Sequence, residues 1–107
     1  MKVAIYGQTF HEQDKTCVME LLDELKGVES SVYIEKEFSQ LVAEYNLELN
    51  YGTFTQTSGL DDSFDMFVSF GGDGTMLRAV TYVKDLGIPI VGVNTGRLGF
   101  LSTFKKE

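Results

Sequence analysis

Tryptophan is absent from this chain, and cysteine, histidine and proline occur once each among 107 residues. A single cysteine, Cys17, excludes an internal disulfide. Together with the lone His11 it also excludes a Cys/His metal cluster. Long apolar runs are missing as well: no stretch approaches the ~20 residues of a membrane span. The opening segment, Met1 to Gly7, lacks the extended apolar region of a signal peptide. A reducing, cytoplasmic setting is the resulting expectation. Basic residues are scarce, 9 Lys and Arg against 16 Asp and Glu, for a net charge of −7. Counterion displacement on nucleic acid and attraction to anionic lipid both need clustered positive charge. No nucleic-acid partner and no membrane partner is therefore expected. A phosphorylated ligand is not excluded, because helix N-termini and glycine-rich backbone bind phosphate without net positive charge.

What is present is an ordinary globular composition, 43% hydrophobic with 11 glycines, at a length suited to one domain. Val3-Ala4-Ile5-Tyr6, closed by Gly7, reads as a buried first strand. After a polar loop, Gln8 to Gln13, Asp14 is placed to cap a helix whose apolar face is Val18, Leu21, Leu22 and Leu25, with Gly27 following its last turn. Ser31 to Ile34 reads as a second strand. Phe38, Leu41, Val42 and Tyr45 predict a second helix over about 36–46. Residues 47–63 read as a connection with one short strand, and the acidic pairs Glu12/Asp14 and Asp61/Asp62 as solvated. Met66 to Phe70 is almost continuously apolar, the pattern of a central parallel strand covered on both faces. Met76, Leu77, Val80 and Val83 predict a third helix, and Ile90 to Val93 a further strand. The order β-α-β-α-(β)-β-α-β predicts an α/β fold: a doubly wound parallel sheet with helices on both faces, in three layers.

In open parallel sheets ligands bind beyond the C-terminal ends of the strands. Two glycine-rich segments fall at such ends. Gly71-Gly72-Asp73-Gly74-Thr75 follows the apolar strand, and Asn94-Thr95-Gly96-Arg97-Leu98-Gly99-Phe100-Leu101 follows the next. A crevice shared between them is the simplest site. Gly71, Gly72 and Gly74 remove three side chains from one turn, so a ligand can approach the backbone closely. The following helix aims free N–H groups at it, and Thr75 adds a hydroxyl. The turn is neither a Walker A loop, lacking Gly-Lys-Ser/Thr, nor the six-residue dinucleotide fingerprint. Asp73 repels phosphate and so calls for another role: acceptor of the proton of an attacking hydroxyl, holder of Mg²⁺, or N-cap of the third helix. Arg78, three or four residues beyond Gly74 and Thr75, shares their helical face. It reads either as a crevice residue or as a solvated arginine. Phe100 reads either as a ring laid against a base or nicotinamide or as a core anchor of its turn.

Phe67 to Ala79, with Gly71-Gly72-Asp73-Gly74-Thr75 at its centre, resembles the diagnostic segment of NAD kinases. The segment 94–101 resembles their second landmark. Diacylglycerol and sphingosine kinases and phosphofructokinases share a Gly-Gly-Asp-Gly loop, whereas the Gly-x-Leu-Gly-Phe segment is more particular to NAD kinases. The resemblance covers 65–102 closely and the first half only by element order. It implies that residues 1–107 form the α/β nucleotide-binding N-terminal domain of an enzyme that phosphorylates the 2′-hydroxyl of the adenosine ribose of NAD at the expense of ATP. Asp73 matches the proton acceptor and Gly74 its neighbour at the NAD site. Arg78 matches a basic residue near the dinucleotide, and Phe100 an aromatic beside bound NAD. Gly71, Gly72 and Thr75 belong to the phosphate loop, and Asn94 opens the second landmark. The resemblance further implies Mg²⁺ accompanying ATP, a cytoplasmic homodimer or homotetramer, and a second, mostly β domain absent from this chain. Without that domain the 107 residues are expected to show little or no activity. A lipid-kinase domain and a non-catalytic nucleotide-binding module are the alternatives carried forward.

Overall fold

The computed structural model describes residues 1–27, 31–45, 51–93 and 101–104. The chain begins with strand β1 (Lys2–Gly7). A short 3₁₀ turn (Glu12–Asp14) then leads into helix α1 (Lys15–Lys26). Strand β2 (Ser31–Glu35) runs directly into helix α2 (Lys36–Ala43), and strand β3 is only Gly52–Phe54. Strand β4 (Met66–Phe70), helix α3 (Asp73–Val83) and strands β5 (Ile90–Val93) and β6 (Leu101–Phe104) complete the order.

The six strands form one sheet in the order β3-β2-β1-β4-β5-β6. Strands β1 to β5 are parallel, and β6 pairs antiparallel with β5, from Ile90 opposite Phe104 to Val93 opposite Leu101. The chain thus winds outward from β1 through β2 to β3, returns to the other side of β1 as β4, and winds outward again. The doubly wound parallel sheet expected from the sequence is present, and the antiparallel edge strand is an addition to it. The segment after β5 carries no alternating pattern strong enough to announce a strand, and β6 exists through its ladder with β5.

The two central strands are apolar on both faces because each face meets helices. Val3 and Ile5 of β1 join Val68 and Phe70 of β4 against Val18, Leu22 and Leu25 of α1 and Phe38 and Val42 of α2. The intervening residues, Ala4, Tyr6 and Phe67, turn to the opposite face and meet Ala79 and Val83 of α3, with Phe54, Phe64, Ile88 and Ile90. This two-residue alternation divides the interior into two cores separated by the sheet, giving three layers.

Three local expectations need correction. Asp14 is not solvated but 3% exposed. Its side chain makes no cap bond to α1; instead it accepts the backbone N–H of His11 at 2.9 Å, closing the preceding 3₁₀ turn. The polar loop 8–13 also hides an anchor: Phe10 is buried against the rings of Phe38 and Tyr45. The helix predicted over 36–46 ends its regular part at Ala43.

Candidate functional site

The change of winding direction lies between β1 and β4, and the C-terminal ends of strands at such a switch are where α/β sheets form their crevices. The glycine turn sits there. Gly71 has φ +143°, a region that side chains disfavour, and a Cβ on it would come 2.6 Å from Thr75 Oγ1. The turn is therefore built for glycine at this position. Its amide donates to the Val93 carbonyl at 2.9 Å, tying the end of β4 to the end of β5. Gly72 is extended (φ −96°, ψ −163°) and is the N-cap of α3: its carbonyl accepts the amides of Thr75 at 3.1 Å and Met76 at 3.2 Å. The cap role considered for Asp73 accordingly passes to Gly72, and Asp73 is the first residue of α3. Gly72 and Gly74 have no atom within 4 Å of where a Cβ would stand, so the outer side of the turn is open.

Thr75 is 7% exposed and its hydroxyl donates to Gln8 Oε1 at 3.2 Å. That bond crosses the switch, joining the glycine turn to the residue just after β1. Gly7, at the end of β1, is pressed beneath α2: a Cβ there would meet the Phe38 ring at 2.5 Å. The glycine after β1 therefore serves helix–strand packing, and the open glycines of the turn after β4 are Gly72 and Gly74.

A cavity of about 440 Å³ opens over the ends of β1, β2 and β3. Tyr6, Gly7 and Gln8 supply its β1 side, and Glu35, Lys36, Glu37 and Leu41 its α2 side. Thr55, Gln56 and Thr57, beyond β3, and Arg78 and Tyr82 of α3 close it. Arg78 is thus a cavity residue, although its side chain is exposed. Glu35 is 4% exposed and caps α2, accepting the amides of Glu37 at 3.0 Å and Phe38 at 2.9 Å. The Tyr6 and Tyr82 rings pack 4.6 Å apart. Burial pushes the Tyr6 phenol up, against a hydrogen bond and the positive charge of Arg78. Burial likewise pushes Tyr82 up to about 12, with Glu35, Tyr6 and Glu37 adding to it and Arg78 opposing. Both phenols stay protonated at neutral pH, as donors and acceptors of hydrogen bonds. Gln56 Nε2 donates to Thr81 Oγ1 at 2.8 Å, fastening the loop after β3 to α3.

The predicted site residues divide accordingly. Gly71, Gly72, Asp73, Gly74 and Thr75 share the turn that opens α3, and Arg78 stands one helical turn further, on the cavity wall. Asn94 and Phe100 lie outside the described residues, as does the segment 94–100 that was expected to form the other side of a crevice. Among the described residues, the cavity that includes Arg78 lies over β1, β2 and β3. Sequence reasoning missed Tyr6, Gln8, Glu35 and Tyr82. Tyr6 and Gln8 flank the glycine that ends β1, and Tyr82 lies four residues after Arg78, so position relative to strand and helix ends was the available signal. Glu35 had none, because a Glu between a strand and a helix reads as an ordinary boundary residue. Among the described residues no group of three or more His, Cys, Asp or Glu gathers to hold a metal ion, and no described helix is long and apolar enough to cross a membrane.

The sequence is similar to those of several bacterial NAD kinases. The chain is 45% identical over its whole length to the NAD kinase of Christiangramia forsetii. It is 40% identical to that of Flavobacterium johnsoniae and 36% identical to that of Bacteroides fragilis, again over its whole length. In each case it spans 37% of the relative's length. These names do not favour the lipid-kinase alternative. The profile of the ATP-NAD kinase N-terminal domain matches residues 3–107, and the chain belongs to that family.

Proposed function

We propose that this domain carries the phosphoryl-transfer residues of an NAD kinase, with NAD as acceptor and ATP as donor. The observation that carries the reading is the turn 71–75. Three glycines, one with φ +143°, end a buried parallel strand and open a helix beside a cavity walled by Arg78. Such a turn offers backbone N–H groups and the positive end of a helix dipole to phosphate oxygens, and Asp73 supplies its carboxylate. In the proposed step the 2′-hydroxyl oxygen of the adenosine ribose forms a bond to the γ-phosphorus of ATP. The bond from that phosphorus to the β–γ bridging oxygen breaks, and its electron pair leaves with ADP. The hydroxyl proton passes to the Asp73 carboxylate, so NAD and ATP give NADP, ADP and one proton. Thr75, locked to Gln8, holds the turn in shape, and Arg78 offsets phosphate charge. Gly74 and Phe100 would lie beside the dinucleotide, and Asn94 would open the second loop of the site.

Mg²⁺ would arrive with the donor, neutralising charge on its phosphates. Asp73 is the carboxylate of the turn that would approach it. Because the chain spans 37% of its relatives' length, the complete enzyme is proposed to need a further, strand-rich domain; membership of the family is the ground for proposing a cytoplasmic homodimer or homotetramer. The 107 residues alone should turn over little or no NAD.

The test is Asp73→Asn in the full-length protein. Turnover should fall about 10²–10⁴-fold, the range for a lost general base, while NAD still binds. Unchanged turnover would remove Asp73 from the chemistry. Transfer to a lipid alcohol rather than to NAD would reassign the substrate.

A further inference from the structure

The C-terminal end of α3, opposite the glycine turn, borders a second cavity of about 380 Å³ to which phosphoryl transfer gives no role. Its 11 residues make α3 roughly 16 Å long, so this cavity stands apart from the turn 71–75. We propose that it is an effector site for a small zwitterion, an α-amino acid with an aliphatic side chain. The carboxylate would meet Lys84, the ammonium Asp85, and the side chain Leu60 and Leu86.

The backbone at Lys84 is the first support. Helix α3 ends at Val83, and the Leu86 amide donates to the Val83 carbonyl at 3.0 Å, closing a tight turn with Lys84 and Asp85 at its corners. Lys84 has φ +49° and ψ −119°, the conformation of the first corner of a II′ turn, where glycine predominates. Among the described residues it is the one non-glycine with positive φ. A side chain held there against its backbone preference points to a use for the ammonium. The same turn puts the Asp85 carboxylate on the same cavity wall.

The wall itself supplies the class of ligand. One cation and one carboxylate, both exposed, line the cavity, so its charge is balanced. A polyphosphate would meet a single cation and a repelling carboxylate. A lone carboxylate would oppose Asp85, and a lone amine would oppose Lys84. A zwitterion pairs with both, through charge-assisted hydrogen bonds. Leu60 and Leu86 are half-buried against the core that α3 covers and give the cavity an apolar floor. Thr57 and Ser58 add uncharged hydroxyls from the facing loop. A volume of about 380 Å³ falls at the lower end of the roughly 300–1,000 Å³ of small-molecule sites, which suits a ligand of amino-acid size.

The effector role follows from a shared wall. Gln56, Thr57 and Tyr82 line both this cavity and the one that includes Arg78. The 2.8 Å bond from Gln56 Nε2 to Thr81 Oγ1 ties that loop to α3. A ligand that orders Gln56 and Tyr82 from one side changes the wall offered on the other, and such coupling acts in both directions.

The test is calorimetric titration of the full-length protein with leucine, isocaproate and isoamylamine, the last two lacking the ammonium and the carboxylate in turn. Leucine should bind saturably, and each half-ligand about ten- to a hundredfold more weakly, as expected for a lost bond between charged groups. Lys84→Gly should remove the preference for leucine over isoamylamine. Glycine suits this backbone, so the variant keeps its fold and its urea midpoint should not fall. Asp85→Asn should narrow the gap between leucine and isocaproate. No saturable leucine binding to the unmutated protein overturns the assignment, as does a Lys84→Gly variant that binds leucine unchanged. In kinase assays leucine should shift the KM for NAD or for ATP, and Lys84→Gly should lose that response. Leucine binding with neither KM moved overturns the effector role. The titrations do not depend on the kinase reading, which stands or falls with Asp73.

Discussion

Replacing Gly71 by alanine isolates the geometry on which the site depends. At φ +143° an alanine is strained by about 1–3 kcal/mol. Its methyl group would also stand 2.6 Å from Thr75 Oγ1. The hydroxyl must move, which breaks its 3.2 Å bond to Gln8 and removes about 1 kcal/mol more. The sum, about 2–4 kcal/mol, is a substantial fraction of the 5–15 kcal/mol typical of a domain. Urea denaturation should show it as a lower midpoint with an unchanged m-value. The neighbouring glycines are internal controls. A methyl group on Gly74 would meet no atom within 4 Å, and this glycine does not have a positive φ. As a helical residue it should gain up to about 1 kcal/mol from alanine. In the full-length enzyme the same Gly74→Ala change should nonetheless slow turnover, because its methyl occupies the open side of the turn. A Gly71→Ala midpoint matching the unmutated protein, or a Gly74→Ala variant less stable than Gly71→Ala, would refute the reasoning.

Asp14→Ala should destabilise by about 1–2 kcal/mol through loss of the bond from the His11 amide, the cost of a good cap. Glu12→Ala, which removes only a surface ion pair to Lys15, should stay within about 0.5 kcal/mol; equal losses in the two variants would contradict the burial of Asp14. Tyr82 is raised to about 12 from an ordinary 10. The unfolded chain therefore releases this proton first as pH rises, and the stability that the neutral phenol contributes below pH 10 is lost between about 10 and 12. Ultraviolet titration of phenolate absorbance should show a late-titrating tyrosine that Tyr82→Phe removes and that denaturant returns to the normal range. Burial, helped by Glu20 and Asp14, pushes the half-buried Cys17 thiol up. A thiol reagent at neutral pH should therefore react more slowly with the folded protein than after denaturation; equal rates would argue against that packing.

Sequence by itself determined the sheet and the turn. Apolar runs such as Met66–Phe70, helical spacing such as Val18, Leu22 and Leu25, and glycines at strand ends are local signals. The parallel α/β order and the position of Gly71 to Thr75 followed from them because covering both faces of a strand demands apolar residues on both. The cap of α3 was left open by the same segment, as one of three roles for Asp73. Asp is a favoured cap in general, but the extended backbone of Gly72 starts the helix one residue earlier.

Only the tertiary structure decided which strand ends stand together. Tyr6, Glu35 and the α3 pair Arg78 and Tyr82 come from three distant parts of the chain, and pairing β1 with both β2 and β4 brings them around one cavity. The burial of Asp14 and the antiparallel β6 are likewise outcomes of long-range pairing and closure of a turn, for which a single residue's type gives no local sign. Strand-end residues carry little periodicity of their own. Their chemistry becomes legible once hydrogen-bonded register has set the sheet order.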